Sequence, residues 1–223
     1  MVMSVVVFDV NETLSDMAPM AARFADVGAP ENLAAQWFVG VLRDGFALTV
    51  AGGRESFAVL AEGGLRSIFA GLPLDRPADD AVAHVLAGFS ALDLHPDVVT
   101  GVLALRERGL RLVTLTNGSA QIADRLLAAA GIRGEFEMVM SVEDAGAWKP
   151  APVAYAHAAR RCGVDPEQML LVAVHPWDID GAARAGMATG WVSRSGSPYP
   201  SYFTIPTYVG ATIGAIAAAL PAT

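Results

Sequence analysis

The apolar residues near the N-terminus form one short uninterrupted run, Val5 to Phe8, which ends on the ionisable side chain of Asp9. A run rich in β-branched residues with no polar position indicates a strand that is buried on both faces. Short polar residues follow between Asn11 and Thr13. In open parallel sheets the reacting groups collect beyond the carboxyl ends of the strands, so Asp9 is a candidate for chemistry. The alternative is that Asp9 only caps the following turn or helix.

From Ser15 to about Leu94 the apolar residues recur at helical spacing, and no β-rich run interrupts them. Clusters at Gly52-Gly53, Gly63-Gly64 and Pro73 to Pro77 indicate loops. We therefore predict a helical cap domain of residues 15–94, inserted after the first strand of a core domain made of residues 1–14 and 95–223. The predicted cap helices run from Met17 to Val27, Leu33 to Leu48, Ser56 to Ala70 and Asp80 to Phe89.

Beyond His95-Pro96, helical and strand patterns alternate. This alternation predicts right-handed crossovers and a parallel sheet covered by helices on both faces. The predicted fold class is therefore α/β, a doubly wound parallel sheet that includes the first strand, with the α-helical cap above its carboxyl edge. The predicted strands are Leu112 to Leu115, Met138 to Ser141, Leu170 to Val174 and Gly190 to Val192, and the predicted helices are Asp97 to Arg108, Ala120 to Ala130, Pro152 to Cys162, Gly181 to Ala185 and Gly210 to Leu220.

Composition narrows the class of partner. The chain has 223 residues, 53% of them hydrophobic, so it is long enough to bury a sizeable core. Its formal net charge of −8, without a cluster of Lys or Arg, argues against nucleic acid or an anionic membrane and favours a small-molecule substrate. The single cysteine, Cys162, allows no internal disulfide and no Cys-rich zinc site. No signal peptide or membrane-spanning run is recognisable, so we expect a soluble cytoplasmic protein.

Polar clusters follow the predicted strands of the second part of the chain. They are Thr116 to Ser119, Glu143 to Pro150 and His175 to Asp180. In a parallel sheet, these clusters converge on the edge where Asp9 lies. Two structural alternatives stay open: Lys149 as a solvated loop lysine, and Asp178 as the N-cap of the helix predicted from Gly181.

Taken in order, these clusters resemble the four sequence motifs of the haloacid dehalogenase superfamily, and the resemblance covers the whole chain, cap included. Most members resemble magnesium-dependent phosphatases, which place a second aspartate two residues after the nucleophile and a metal-binding aspartate at the end of the fourth strand. Here those places hold Asn11 and Val174. Asn11 cannot donate a proton as an acid does, and Val174 offers no anionic oxygen to Mg²⁺. Phosphoryl transfer is therefore disfavoured.

The pattern instead resembles the 2-haloacid dehalogenases of the superfamily. The pairs that carry this resemblance are Asp9 with Thr13, Lys149 with Tyr155, and Trp177 with Asp178. It implies hydrolysis of a 2-haloacid to a 2-hydroxy acid through an ester of Asp9, with no metal and no cofactor. Lys149 would keep Asp9 ionised, Asp178 would orient or deprotonate water, and the family often forms homodimers. The predicted catalytic residues are Asp9, Thr13, Lys149 and Asp178, and the predicted substrate-binding residues are Asn11, Phe38, Arg43, Thr116, Asn117, Tyr155, His175 and Trp177.

Three departures from the dehalogenase pattern concern the halide pocket. Trp37 is followed by Phe38 where the family usually has an Arg, and Arg43 is the nearest basic candidate. The Ser and Asn of the fourth motif fall on Ala173 and His175. Asn11 and Glu12 replace an aromatic and a small residue, and Glu12 adds negative charge unless an Arg or Lys pairs with it. The alternatives to a dehalogenase are therefore a Mg²⁺-dependent phosphatase and a catalytically altered binding protein.

Overall fold

A computed structural model describes residues 3–221. The chain divides into two compact units: a core unit of Met1–Ser15 with Leu94–Thr223, and a cap unit of Asp16–Asp93. Each junction lies one residue from the boundary expected from the sequence. Within residues 3–221, no helix combines the length and the apolar character that a membrane crossing requires.

Aromatic side chains form the centre of the cap unit. Trp37 is buried against Phe24 and Phe89, with ring centroids 6.0 and 5.7 Å away, and its indole N–H donates to the carbonyl of Ala61. The Gly63-Gly64 pair, read as a loop from the sequence, lies within a helix. A Cβ on Gly64 would approach Trp37 to 3.3 Å, so the glycine allows close packing there. The cap helices are α1 (Met20–Ala25), α2 (Leu33–Val50), α3 (Phe57–Phe69) and α4 (Ala78–Ser90).

The core unit is built on one sheet of parallel strands, as the sequence predicted. Its described strands are β1 (Val5–Phe8), β2 (Arg111–Thr116), β3 (Phe136–Ser141), β4 (Met169–Ala173), β5 (Ala188–Val192) and β6 (Tyr208–Gly210). Their order is β3-β2-β1-β4-β5-β6, and each neighbouring pair is parallel. The residues of β1 are fully buried, which agrees with its unbroken apolar run. Because the chain passes from β3 on one side of β1 to β4 on the other, a crevice opens at the carboxyl ends of β1 and β4.

Helices cover the sheet, and they begin near the edge that carries the polar clusters. They are α5 (Val98–Glu107), α6 (Ala120–Ala129), α7 (Pro152–Cys162), α8 (Pro176–Arg184) and α9 (Ile213–Ala219). The predicted start of α8 at Gly181 was wrong by five residues. Pro176 occupies the first helical position, where its fixed φ and missing N–H are favourable, so Trp177 and Asp178 belong to the first turn of the helix.

The sequence also missed β6. This strand has three residues, lies at the sheet edge and is partly exposed, so it lacks the buried apolar run that marks the other strands. The helix predicted from Gly210 begins at Ile213, after Thr212 caps it by accepting a hydrogen bond from the N–H of Ala215.

Candidate active site

Asp9 lies directly beyond β1, and its carboxylate is buried among three donors. The Nζ of Lys149 donates to Oδ1 at 2.9 Å. Oδ2 accepts from the Thr13 hydroxyl at 2.7 Å and lies 3.0 Å from Nδ1 of His175. Asp9 is only 3% exposed, so these donors replace most of its hydration.

The turn after β1 aims Thr13 at Asp9. The N–H of Leu14 donates to the carbonyl of Val10, which closes the turn. The Thr13 hydroxyl oxygen accepts from the N–H of Val174 at 3.1 Å, directly after β4. Since that oxygen is already an acceptor, its own proton is free to point at Asp9, and the turn is fixed to the neighbouring strand.

Lys149 is completely buried between two carboxylates. Its Nζ lies 2.9 Å from Oδ1 of Asp9 and 2.6 Å from Oδ2 of Asp178. Asn117, which follows β2, fixes the backbone of Lys149: its Oδ1 accepts from the Lys149 N–H and its Nδ2 donates to the Lys149 carbonyl. The contacts of Asn117 are thus with Lys149, and its predicted role in substrate binding stays a prediction. The solvated-loop alternative for Lys149 was wrong.

Asp178 projects from the first turn of α8, and His175, not Asp178, holds the N-cap position. The Tyr155 hydroxyl on α7 donates to Oδ1 of Asp178 at 2.6 Å, opposite the oxygen that meets Lys149. This contact requires close packing of the two helices. A Cβ on Gly181 would lie 2.6 Å from the Tyr155 hydroxyl oxygen, so the glycine makes room for Tyr155 to reach Asp178.

The two carboxylates have opposite pKa shifts. Burial raises the pKa of Asp9, but the charge of Lys149 and the contact with His175 outweigh burial and hold the pKa well below its usual range. Burial raises the pKa of Asp178 above its ordinary value, because Lys149 only partly offsets burial and the charge of Asp9 adds to it. Burial lowers the pKa of Lys149, but Asp178 and Asp9 outweigh burial and raise the pKa above its ordinary value. Burial raises the pKa of Tyr155 well above its ordinary value. Asp9 is therefore an anion, Lys149 a cation and Tyr155 a neutral donor at neutral pH.

His175 bridges Asp9 and Glu12. Its Nδ1 lies 3.0 Å from Asp9 and its Nε2 lies 2.8 Å from Oε2 of Glu12. Its ring stacks on Trp177, with centroids 4.9 Å apart. Burial opposes protonation, but the two carboxylates outweigh burial and raise the pKa of His175 to about 9. The negative charge of Glu12 is thus paired by a histidine, where the sequence analysis had considered only Arg or Lys.

Asn11 and Thr116 lie beside the turn that opens α6. The Thr116 hydroxyl accepts from the N–H of Gly118 at 2.9 Å. A Cβ at Gly118 would come within 3.2 Å of both the Thr116 hydroxyl and the Asn11 amide nitrogen, so the glycine keeps this corner open. Ser119 caps α6 by accepting from the N–H of Gln121. The corner at Gly118, two residues before α6, is therefore lined by the Asn11 amide and the Thr116 hydroxyl.

Phe38 and Arg43 both belong to α2 of the cap unit. Phe38 is buried, and its ring lies 6.4 Å from that of Phe57. Arg43 is 73% exposed at its side chain and pairs with Asp44 at 2.8 Å. The contacts described for both residues lie within the cap, so their role in substrate binding stays a prediction.

The end of β4 lacks the donors of a magnesium site. Val174 follows β4 directly and has an apolar side chain, and its carbonyl accepts from the Trp191 indole. Among residues 3–221, no group of three or more His, Cys, Asp or Glu side chains is arranged to hold a metal ion.

The sequence analysis did not identify Arg194 as part of this region. Its guanidinium donates to the carbonyl of Thr13 at 2.7 Å and to Asp97 at 2.6 Å. Arg194 thereby fixes the turn that carries Thr13 to the N-terminus of α5. It is the second residue after β5, close to the strand end as the other polar residues are, and that position was the available signal.

Comparison with known proteins identifies chains of similar sequence and structure. A family model described as haloacid dehalogenase-like hydrolase matches residues 3–186. The haloacetate dehalogenase H-2 of Moraxella sp. (strain B) is 36% identical over 121 residues, about half of each chain (54%). The (S)-2-haloacid dehalogenase of Pseudomonas sp. (strain YL) is 26% identical over 95% of this chain and 91% of that protein. A solved L-2-haloacid dehalogenase is 32% identical, with a TM-score of 0.89 over 96% of both chains.

Proposed function

Because this chain belongs to the family of haloacid dehalogenase-like hydrolases, we propose that it hydrolyses the carbon–halogen bond of a small 2-haloacid through an ester of Asp9, without a metal ion. The observation that carries the proposal is the buried chain of Asp9, Lys149 and Asp178, in which one cation joins two carboxylates of opposite pKa shift. Two relatives are a haloacetate dehalogenase and an (S)-2-haloacid dehalogenase, which supports the carbon–halogen bond as the bond that is cleaved.

In the first step, a carboxylate oxygen of Asp9 attacks the carbon that bears the halogen. The new C–O bond forms as the C–halogen bond breaks, and halide leaves with the bonding electron pair. Attack from the side opposite the halogen inverts the carbon. Lys149 contributes by keeping Asp9 ionised, and Thr13 fixes the carboxylate plane.

In the second step, water attacks the carbonyl carbon of the ester. Asp178 accepts a proton from this water. Its raised pKa makes it a stronger base than an ordinary aspartate. The bond then breaks between the Asp9 carbonyl carbon and the Asp9 oxygen that is attached to the substrate carbon, and that oxygen takes the proton from Asp178 to become the hydroxyl of a 2-hydroxy acid. Tyr155 orients Asp178 through the bond at 2.6 Å, and its predicted role in substrate binding stays a prediction.

The substrate carboxylate is assigned to the corner beside α6. The Asn11 amide, the Thr116 hydroxyl and the first N–H groups of α6 are polar groups without negative charge, and the helix dipole favours an anion there. Trp177, which stacks on His175, is assigned to the pocket wall. These assignments predict a preference for substrates with one carboxylate next to the halogenated carbon.

The test is an assay of 2-chloropropionate, haloacetates and an aryl phosphate, each with and without a chelator. We expect halide release that the chelator does not change. Mg²⁺-dependent phosphate release would favour a phosphatase, although Asn11 and Val174 lack the carboxylates that this reaction uses. No turnover of any substrate would favour a binding protein.

A further inference from the structure

We propose that His175 is a catalytic residue that stabilises the oxyanion during hydrolysis of the Asp9 ester, and that Glu12 is the positioning residue that holds His175 in place. This inference rests on the proposed function. It deepens that function by assigning separate roles to the two carboxylate oxygens of Asp9.

The hydrogen bonds of Asp9 distinguish its two oxygens. Oδ2 accepts from Thr13 at 2.7 Å and from His175 at 3.0 Å, which occupies both of its lone pairs. Among residues 3–221, Oδ1 accepts from Lys149 alone, at 2.9 Å, and keeps one lone pair. Oδ1 is therefore the atom that attacks the substrate carbon, and Oδ2 becomes the carbonyl oxygen of the ester.

Hydrolysis then places negative charge on Oδ2. When water adds to the carbonyl carbon and gives its proton to Asp178, the electron pair of the C=O bond moves onto Oδ2. Donors at 2.7 and 3.0 Å already face this atom, which is the spacing of an oxyanion site. When the pair returns, the bond from the carbonyl carbon to Oδ1 breaks, and Oδ1 leaves in the product with the proton from Asp178. His175 donates a hydrogen bond throughout and keeps its proton.

The position of His175 between two carboxylates makes it a cation. Ionised carboxylates only accept hydrogen bonds, so both ring nitrogens must carry hydrogen to satisfy Asp9 and Glu12. Lys149 contacts the other oxygen of Asp9 and also pairs with Asp178. Trp177 stacks on the face of the His175 ring. A cationic donor stabilises an oxyanion more than a neutral one does.

Glu12 is held in an unfavourable backbone conformation that directs its carboxylate to His175. Its φ of 61° is in the left-handed region, which side chains other than glycine rarely adopt. Its carbonyl lies 3.0 Å from Nε2 of His95, and its N–H donates to the Ser15 hydroxyl at 3.3 Å. Its carboxylate is 2.8 Å from His175, although 43% of the side chain is exposed. Strain that persists at this position supports a functional use of the carboxylate.

The test separates halide release from ester hydrolysis in a single turnover of 2-chloropropionate, followed by mass measurement of the peptide that contains Asp9. His175→Phe keeps a ring against Trp177 but has no donor. We expect a halide burst, ester hydrolysis slowed about 100-fold and accumulation of the ester. His175→Asn restores a neutral donor and should recover part of the rate.

Two variants of Glu12 test its positioning role and keep the test valid if His175→Phe does not fold. Glu12→Gln should slow hydrolysis roughly 10-fold, because a charge-assisted bond becomes a neutral one, and should move the alkaline limb of its pH profile to lower pH. Glu12→Gly removes both the carboxylate and the strain at the positive φ: the loss of the carboxylate should slow hydrolysis, while the relief of strain offsets the lost ion pair in the melting temperature. A purely structural role for Glu12 predicts neither the pH shift nor this separation of rate from stability.

The wild type distinguishes the two possible failures. If it forms the Asp9 ester but the ester decays equally fast in His175→Phe, Glu12→Gln and Glu12→Gly, the role of His175 and Glu12 is wrong and the proposed function stands. If the wild type releases no halide and forms no ester, the proposed function itself is wrong, and the inference is wrong with it.

Discussion

The ammonium nitrogen of Lys149 lies 2.6 Å from a carboxylate oxygen of Asp178, and both side chains are completely buried. A buried charge is tolerated only when its partner is present, and here the same lysine also pairs with Asp9. The stability of the core unit and the ionisation of Asp9 therefore depend on one side chain.

Lys149→Met should destabilise the protein and stop halide release. The variant leaves two buried carboxylates facing each other, which we expect to lower the free energy of unfolding at pH 7 by about 3–5 kcal/mol. Denaturant unfolding at pH 7 and pH 5 measures the effect, which should shrink at the lower pH as a carboxyl group takes up a proton. Arg43→Met, at an exposed ion pair, is the control and should leave the free energy of unfolding close to that of the wild type. Equal stability of Lys149→Met and wild type at pH 7 would contradict the buried arrangement.

If Asp9 attacks carbon, a single turnover in ¹⁸O-water should put solvent oxygen into the Asp9 carboxylate and none into the product. Water cleaves the ester at its carbonyl, so the oxygen that leaves with the product comes from Asp9. Mass spectrometry of the peptide and of the hydroxy acid reads both sites. Asp9→Asn should retain the fold and lose turnover. Label in the first-turnover product, with an unlabelled peptide, would sink the nucleophile assignment.

Asp178→Asn should slow the second step more than the first. The amide cannot accept the proton of water, so we expect hydrolysis of the ester to fall by about 100-fold or more, and a mass increment to accumulate on the peptide with Asp9. Tyr155→Phe is the matched control, because it removes only the hydroxyl that orients Asp178 and should have a smaller effect. Equal effects of both substitutions on the two steps would argue against a base at position 178.

The protonation of His175 should make stability depend on pH. Its pKa rises from the ordinary 6.5 to about 9 in the folded protein, so its contribution is complete below about pH 6.5 and is lost as the pH rises through about 9. This contribution is on the order of 3 kcal/mol. Unfolding measured between pH 6 and 10 should show the wild type losing stability relative to His175→Asn. Parallel curves for the two proteins would contradict the charged state of the ring.

Gly181→Ala should destabilise the protein and slow turnover. The added methyl group would lie 2.6 Å from the Tyr155 hydroxyl and 2.7 Å from Pro150, so α8 must shift away from Lys149. We expect a loss of about 1–3 kcal/mol in the free energy of unfolding. Gly63→Ala, in a helix of the cap with open space around the glycine, is the control and should add about 1 kcal/mol. Similar results for the two variants would disprove the close packing.

Sequence periodicity was sufficient for the architecture, because it reports directly which residues are buried. The unbroken run from Val5 to Phe8 and the alternation after His95 predicted a parallel sheet, which the strand order confirms. It failed at two places: β6 is short and partly exposed, and α8 begins at a proline inside the polar cluster from His175 to Asp180. In both places the decisive information is local backbone geometry, which hydrophobic pattern does not encode.

Contacts between side chains from different strands were harder to predict. The convergence of Asp9, Lys149 and Asp178 followed from their positions after parallel strands. The pairing of Asn117 with the backbone of Lys149, 32 residues away, depends on how the loop after β3 folds back. The bridge from Glu12 to Asp9 through His175 depends on the left-handed backbone at Glu12, for which neither spacing nor composition gives a signal.

The anchoring of Lys149 by Asn117 has a consequence for how the site responds to its surroundings. A carboxamide neither gains nor loses a proton in the range where proteins fold, so the two bonds that hold the lysine backbone are the same in acid and in base. Titration can thus change the charges at this edge of the sheet while the lysine backbone stays fixed in place. The pH dependence of the wild type should therefore report the ionisation of single groups, with little contribution from movement of the lysine loop.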